Sequence, residues 1–211
     1  VPATSLNETT IFYDEAGQGE PLVLVHGAWV DHTSWDAVVP RLAGSFRVVA
    51  YDLRGHGQST LDPPDAGTVH DDIADLVALI DHLDLGAVNV AGISSGAAIA
   101  LRLSIEHPAT VRRVLPHEPP CAEYLLDDPE NKPLLDAVGE LLDDTARRIA
   151  DGDNRGAARQ FFDDLVGVPW VDLSPATQEL IERHAVAFLG QLQDPDAVAL
   201  DAGALRTVSA P

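Results

Sequence analysis

The stretch VNVAGISSGAAIALRL, residues 88–103, sets a serine between two glycines where one apolar run gives way to another. Four of its first six residues are apolar, as expected of a strand covered on both faces. The run after Gly96 has the composition of a helix packed on a sheet. Gly92-Ile93-Ser94-Ser95-Gly96 therefore fits a Gly-x-Ser-x-Gly corner between strand and helix. The glycines have a steric reason. A turn this sharp strains the serine and holds its hydroxyl clear of the backbone, and a side chain at either glycine would strike the flanking elements. The following helix points its N-terminus at the same place, which favours developing negative charge. Ser94 is the expected nucleophile.

Upstream, His26-Gly27-Ala28-Trp29 follows a continuous apolar run over 22–25. A tetrahedral oxyanion needs donors from two places. The backbone amides of Ser95 and Ala28 are the candidates, both at carboxyl ends of parallel strands, where open α/β sheets bind ligands. His26 reads as a loop-ordering hydrogen-bonding residue rather than a base.

The rest of the first 120 residues alternates strand and helix. Two short strands are expected over 1–14, a turn over 16–20, a helix capped by Ser34 and ending near Ala43, and a strand over 46–52. A helix begins at Thr68 or His70, with Ile73, Leu76, Val77, Ile80 and Leu83 at helical spacing. A helix over 95–106 ends at His107-Pro108, and the strand in 111–120 is stopped by prolines. This order predicts a mostly parallel, doubly wound α/β sheet with right-handed crossovers. Residues 123–193 show no convincing strand but three helical stripes, over 134–142, 157–166 and 175–192. The expected organisation is a core over 1–120, a helical lid over 121–200 and a return to the core over 201–211.

The chain has 211 residues, 34 acidic against 13 basic, for a formal charge of −21. Nucleic acid and anionic membrane surfaces are excluded as expected partners, since both require local positive charge. Mean hydropathy is +0.01, and no apolar stretch is long enough to span a bilayer. Cys121 is the single cysteine, so no intrachain disulfide or zinc motif can form. With no signal peptide visible at the N-terminus, a cytoplasmic chain is expected. No metal or cofactor is called for: AGISSGA lacks the lysine of a P-loop and the spacing of a dinucleotide fingerprint, and Asp71-Asp72 and Asp163-Asp164 read as solvated helix faces.

LVLVHGAW, FRVVAYDLRGHGQST and VNVAGISSGAAIALRLSIEHPATVRRVLPHEPP resemble the α/β-hydrolase superfamily, over about residues 8–120. The segment containing VPWVDLSPATQELI is similar, less specifically, to the lid of small serine-type hydrolases. The resemblance implies Ser94 as nucleophile, Ala28 and Ser95 as oxyanion-hole amides, and a largely structural role for the 52–59 loop and its His56. It also implies that an Asp or Glu and then a His follow the serine. The strand carrying that acid would begin just after Ser209-Ala210-Pro211, so the C-terminal part of the sheet, with acid and base, would lie outside this sequence. Three expectations follow: a longer parent protein, a tail supplied by another chain, or a non-catalytic relative. Without further strands, the strand near 111–115 becomes an apolar sheet edge, open to self-association or to a complementing chain. Glu118 is the only candidate acid inside the chain. His184 reads as a surface residue of a lid helix.

The expected activity is acyl transfer to water from a small, apolar, ester-like substrate, without a cofactor, through an acyl-enzyme on Ser94. Trp29, Ile93 and Trp170 are the candidate pocket residues. A serine nucleophile argues against the aspartate-using dehalogenase and epoxide-hydrolase branches. The alternatives are a carbon–carbon bond hydrolase, a cofactor-free haloperoxidase, and a non-catalytic binding or interaction protein of the same fold.

Overall fold

The computed structural model describes residues 2–63, 66–120, 122–125, 128–197 and 199–210. Cys121 lies outside them. Six strands form one sheet: β1 Ala3–Leu6, β2 Thr9–Ala16, β3 Glu20–Val25, β4 Phe46–Tyr51, β5 Val88–Ile93 and β6 Val111–His117, in the order β1-β2-β4-β3-β5-β6. β3 to β6 are mutually parallel, and β1 and β2 add an antiparallel edge. This is the mostly parallel α/β architecture that the alternating pattern predicts.

Strand alternation divides the core between two faces. Val23, Val25, Val49, Tyr51, Val88 and Val90 point to one side, where they meet Ile73, Leu76, Leu79 and Ile80 of helix α2 (Val69–His82) and Ile99 and Leu103 of α3 (Ser95–Glu106). Leu22, Leu24, Val48, Ala50 and Ala91 point to the other, against Trp35, Val39 and Leu42. α2 starts where its cap dictates. The Thr68 side chain accepts from the Asp71 amide, and the Asp71 carboxylate accepts from the Thr68 amide.

The region before β4 differs from the single helix expected from Ser34. Asp31 is the cap, its carboxylate accepting from the Thr33 amide, and it opens a 3-10 turn over His32–Trp35. A one-turn helix, α1 (Val39–Leu42), follows with Pro40 in its first turn.

Between 129 and 197 the described residues are helical or irregular. They hold α4 (Lys132–Ala150), α5 (Asn154–Gln160), α6 (Pro175–Arg183) and α7 (Ala185–Gln193). α5 runs into a wider π-type turn over Phe161–Val166, ended by Gly167 at φ 72°. The stripe over 175–192 is two helices rather than one, broken at His184. These elements share a core of Ile149, Ala157, Ala158, Trp170, Ile181, Phe188 and Leu189, and Trp29 from the loop after β3 inserts into it. α8 (Ala202–Leu205) lies beyond. No helix among the described residues is long and apolar enough to cross a membrane.

Candidate active site

The carboxyl ends of β3, β4, β5 and β6 share one rim of the sheet. At its middle, Val25 of β3 stands opposite Gly92 of β5. The chain after β3 therefore meets the corner after β5, where the connections diverge to opposite sides of the sheet.

Ser94 occupies that corner at φ 53° and ψ −123°, a left-handed conformation that side chains rarely adopt. Its amide donates to the His117 carbonyl at 3.0 Å, and its carbonyl begins α3 by accepting from Ala97 and Ala98. The close approach of backbone explains the two glycines. A Cβ at Gly92 would collide with the Gly96 carbonyl, and one at Gly96 with the carbonyls of Val25 and His26. Those carbonyls belong to the central strand end and have no room to retreat. Gly96→Ala is expected to cost roughly 3 kcal/mol or more, lowering the melting temperature by roughly 6–12 °C. A melt within a degree of the wild type would show that the corner yields.

Ser94 is exposed, and it faces a cavity of about 320 Å³. Ala28, Trp29 and Ser95 line the same cavity, with Phe161, Leu165, Phe188 and Leu192 from the helical segment above. Neither the Ala28 nor the Ser95 amide donates a hydrogen bond among the described residues. Both amides are thus free to donate to an acceptor. Trp29 forms part of the wall, packed against Phe188 at 4.5 Å and Phe161 at 5.3 Å between ring centroids.

Two expected pocket residues lie elsewhere. Ile93 is not among the cavity-lining residues; its side chain packs beside Gly27. Trp170 is buried in the core of the helical segment, edge-on to Phe162 and under the Arg155 guanidinium, because a bulky ring there completes that core. Glu118 follows β6 at φ 49°, exposed, and its carboxylate accepts no hydrogen bond among the described residues. No described side chain is hydrogen-bonded to the Ser94 hydroxyl.

The histidines near the corner are occupied. His26 is fully buried. Its Nε2 accepts from the Leu53 amide at 3.0 Å, which leaves Nδ1–H to donate to the Gly27 carbonyl at 2.8 Å. His56 sits with Nε2 2.8 Å from the Ala28 carbonyl and Nδ1 3.1 Å from that of Arg54. Burial lowers the pKa of both rings, most strongly for His26. His184 is not a surface residue. It is buried at the break between α6 and α7, stacked on His56 at 5.3 Å, with Nε2 accepting from the Gly57 amide at 2.9 Å. Asp31, His32 and Asp52 also come together, their ligand-type atoms within 4.8 Å of one another, a grouping that sequence spacing did not show. Internal hydrogen bonds occupy them: Asp52 accepts from the His32 and Gln58 amides and the His32 ring, and Asp31 from Thr33.

Asp72, expected on a solvated face beside Asp71, is buried and lines the cavity. The spacing held a signal for this. Val69, Asp72, Ile73, Leu76 and Leu79 recur at three- and four-residue intervals, which puts Asp72 on the apolar face of α2.

A parallel sheet with this strand order, a serine in a left-handed corner after β5, and two open amides in the same cavity lining define a hydrolase-type scaffold. Residues 20–200 match the family model described as the alpha/beta hydrolase fold, and the chain belongs to that family. It is 37% identical over 108 residues to (E)-2-((N-methylformamido)methylene)succinate hydrolase of Acinetobacter baylyi, a match covering 51% of this chain and 41% of that protein. It is 39% identical over 105 residues to 2-hydroxymuconate semialdehyde hydrolase of a Pseudomonas species, covering 48% of this chain and 37% of the relative. The chain thus matches about two fifths of the length of these relatives. Among solved structures, an alpha/beta hydrolase from Sphaerobacter thermophilus superposes with a TM-score of 0.70 and 27% identity, over all of this chain and 79% of that one.

Proposed function

We propose that the protein is a serine hydrolase that transfers the acyl group of a small, mostly apolar ester to water. The observation that carries this reading is Ser94, exposed and left-handed in the cavity lining that Ala28 and Ser95, with undonated amides, share. In this reading the Ser94 Oγ attacks the substrate carbonyl and gives its proton to a general base. The carbonyl oxygen, now an anion, accepts from the two amides, and the N-terminus of α3 adds to their field. Collapse expels the alcohol, which takes up the proton, and leaves an acyl-enzyme. Water, deprotonated by the same base, releases the acid and restores the serine. The helices over 129–197 serve as a lid, with Phe161, Leu165 and Phe188 holding the apolar part of the substrate.

A second reading is favoured by the likeness to 2-hydroxymuconate semialdehyde hydrolase: the same serine acting in carbon–carbon bond cleavage. The cavity speaks for the neutral ester. Among the described residues no lysine or arginine lines it, so an anionic substrate would find no charge partner there.

Intact mass after exposure to a fluorophosphonate tests the reading. The expected result is one adduct, absent in Ser94→Ala. An unlabelled protein that still binds apolar esters would favour the non-catalytic binding alternative.

A further inference from the structure

We propose that Asp72 determines which substrate this cavity accepts, selecting an apolar ester whose acyl chain carries a hydroxyl group. The inference rests on the cavity being the substrate site.

Asp72 is 7% exposed, and its carboxylate accepts no hydrogen bond among the described residues, yet it lines the cavity that holds Ser94. A buried carboxylate left without a partner is costly, and folded proteins seldom keep one without use. Structural explanations are already taken by its neighbours. The capping box of α2 is made by Thr68 and Asp71, whose carboxylate accepts from Thr68. Arg54, the nearby cation, puts Nε and Nη2 on Asp75 at 2.9 and 2.8 Å and Nη1 near Asp71 at 3.5 Å. Stabilisation of the helix dipole accounts for an acid in this turn, but not for turning it into an apolar cavity.

The surroundings identify the missing partner. Most of the described lining is aliphatic or aromatic, and besides the serines at the corner and the enclosed Trp29 indole N–H, the polar side chains among the described residues are Asp72 and Gln191. These two also border a recess of about 10 Å³, with Arg54 and His56 on its other sides. Away from the serine corner, Asp72 and Gln191 therefore make the wall between α2 and α7 polar among the described residues. A ligand filling the cavity needs an apolar body and one hydrogen-bonding group facing that wall. Burial, together with Asp75 and Asp71, pushes the Asp72 carboxyl pKa up, while Arg54 opposes the rise. A hydroxyl fits either protonation state, donating to the carboxylate or accepting from the acid. An ammonium fits only the first, and a carbonyl only the second.

The test uses Ser94→Ala protein, which binds without turnover, and a matched pair: methyl hexanoate and methyl 6-hydroxyhexanoate. Dissociation constants are measured for each by ligand-observed NMR. Tighter binding of the hydroxy ester, by about tenfold, is expected. Adding Asp72→Leu is expected to reverse the order, while raising the melting temperature because an unpaired buried carboxyl is gone. Asp72→Asn, nearly the same shape, serves if the leucine variant misfolds; it is expected to shrink the preference but keep both ligands bound. Equal affinities, a ratio unmoved by either substitution, or no binding of either ester overturns the proposal. Hydrolysis of the two esters by the protein with Ser94 intact separates this proposal from the functional reading. Turnover of both without discrimination sinks the Asp72 assignment alone, whereas discriminating binding without turnover sinks only the esterase.

Discussion

Replacing Ser94 by alanine is expected to remove ester turnover by roughly 10³-fold or more, because in the proposed mechanism the acyl-enzyme forms on its Oγ. The companion variant Ser94→Gly carries more information. The native residue sits at φ 53°, and a non-glycine residue held there costs on the order of 1–3 kcal/mol. Glycine removes that cost and loses part of the gain to its greater freedom in the unfolded chain. A net gain of about 1 kcal/mol corresponds to a rise of roughly 2–4 °C in melting temperature for a chain of this size. Alanine keeps the Cβ and the strain, so its melt should match the wild type. An inactive, more stable glycine variant beside an inactive alanine variant of unchanged stability would show that strain at the corner is retained for catalysis. Substantial turnover in either variant would remove Ser94 from the mechanism, and a glycine variant less stable than wild type would refute the strain.

The corner was legible because its causes are local. Five residues, two of them glycines, fix a turn whose sterics can be read without a partner, and the apolar runs on either side supply strand and helix. The strands of the core were legible for the same reason: Leu22–Leu24 and Val48–Ala50 are apolar on both faces only if both faces are covered. What escaped reading depends on contacts across the fold. Ser34 has the chemistry of a helix cap, but Asp31 stands three residues earlier and takes the role at the first available turn. Trp170 and Phe188 are equally apolar in sequence; only the packing of α5 against α7 decides that the first completes a core and the second faces the cavity. Asp72 reads as part of a solvated helix face with Asp71, although its register with Val69, Ile73 and Leu76 puts it on the apolar side. His184 reads as a surface residue of a lid helix and is buried instead, because the amide it serves belongs to Gly57, 127 residues earlier.

That distant contact makes the link between the helical segment and the sheet sensitive to acid. The His184 ring accepts the Gly57 amide only while Nε2 is unprotonated. Burial, and then the neighbouring His56 ring, lower its pKa to about 4, against an ordinary 6.5; Asp31, 4.0 Å away, opposes the shift. The unfolded chain therefore takes up a proton near pH 6.5 that the folded chain refuses until about pH 4. The stabilisation is fully present above pH 6.5, falls as pH drops through this interval and levels off below it, a change on the order of 3 kcal/mol. Burial lowers the pKa of His26 and His56 as well, so both act in the same direction. Guanidinium unfolding at pH 7.5 and 4.8 measures the difference, in a range where most carboxylates are still ionised. His184→Gln keeps an acceptor for Gly57 and cannot titrate. It should lose about 1 kcal/mol at pH 7.5 and show a visibly smaller drop on acidification. His184→Leu leaves the Gly57 amide unpaired and should be weaker at both pH values. An unchanged acid drop in His184→Gln would place the sensitivity at the other two rings. Because α7 begins at His184 and carries Phe188 and Gln191 into the cavity, ester binding by the folded protein should hold down to about pH 4 and weaken only as the ring itself takes up a proton, and in His184→Gln it should not.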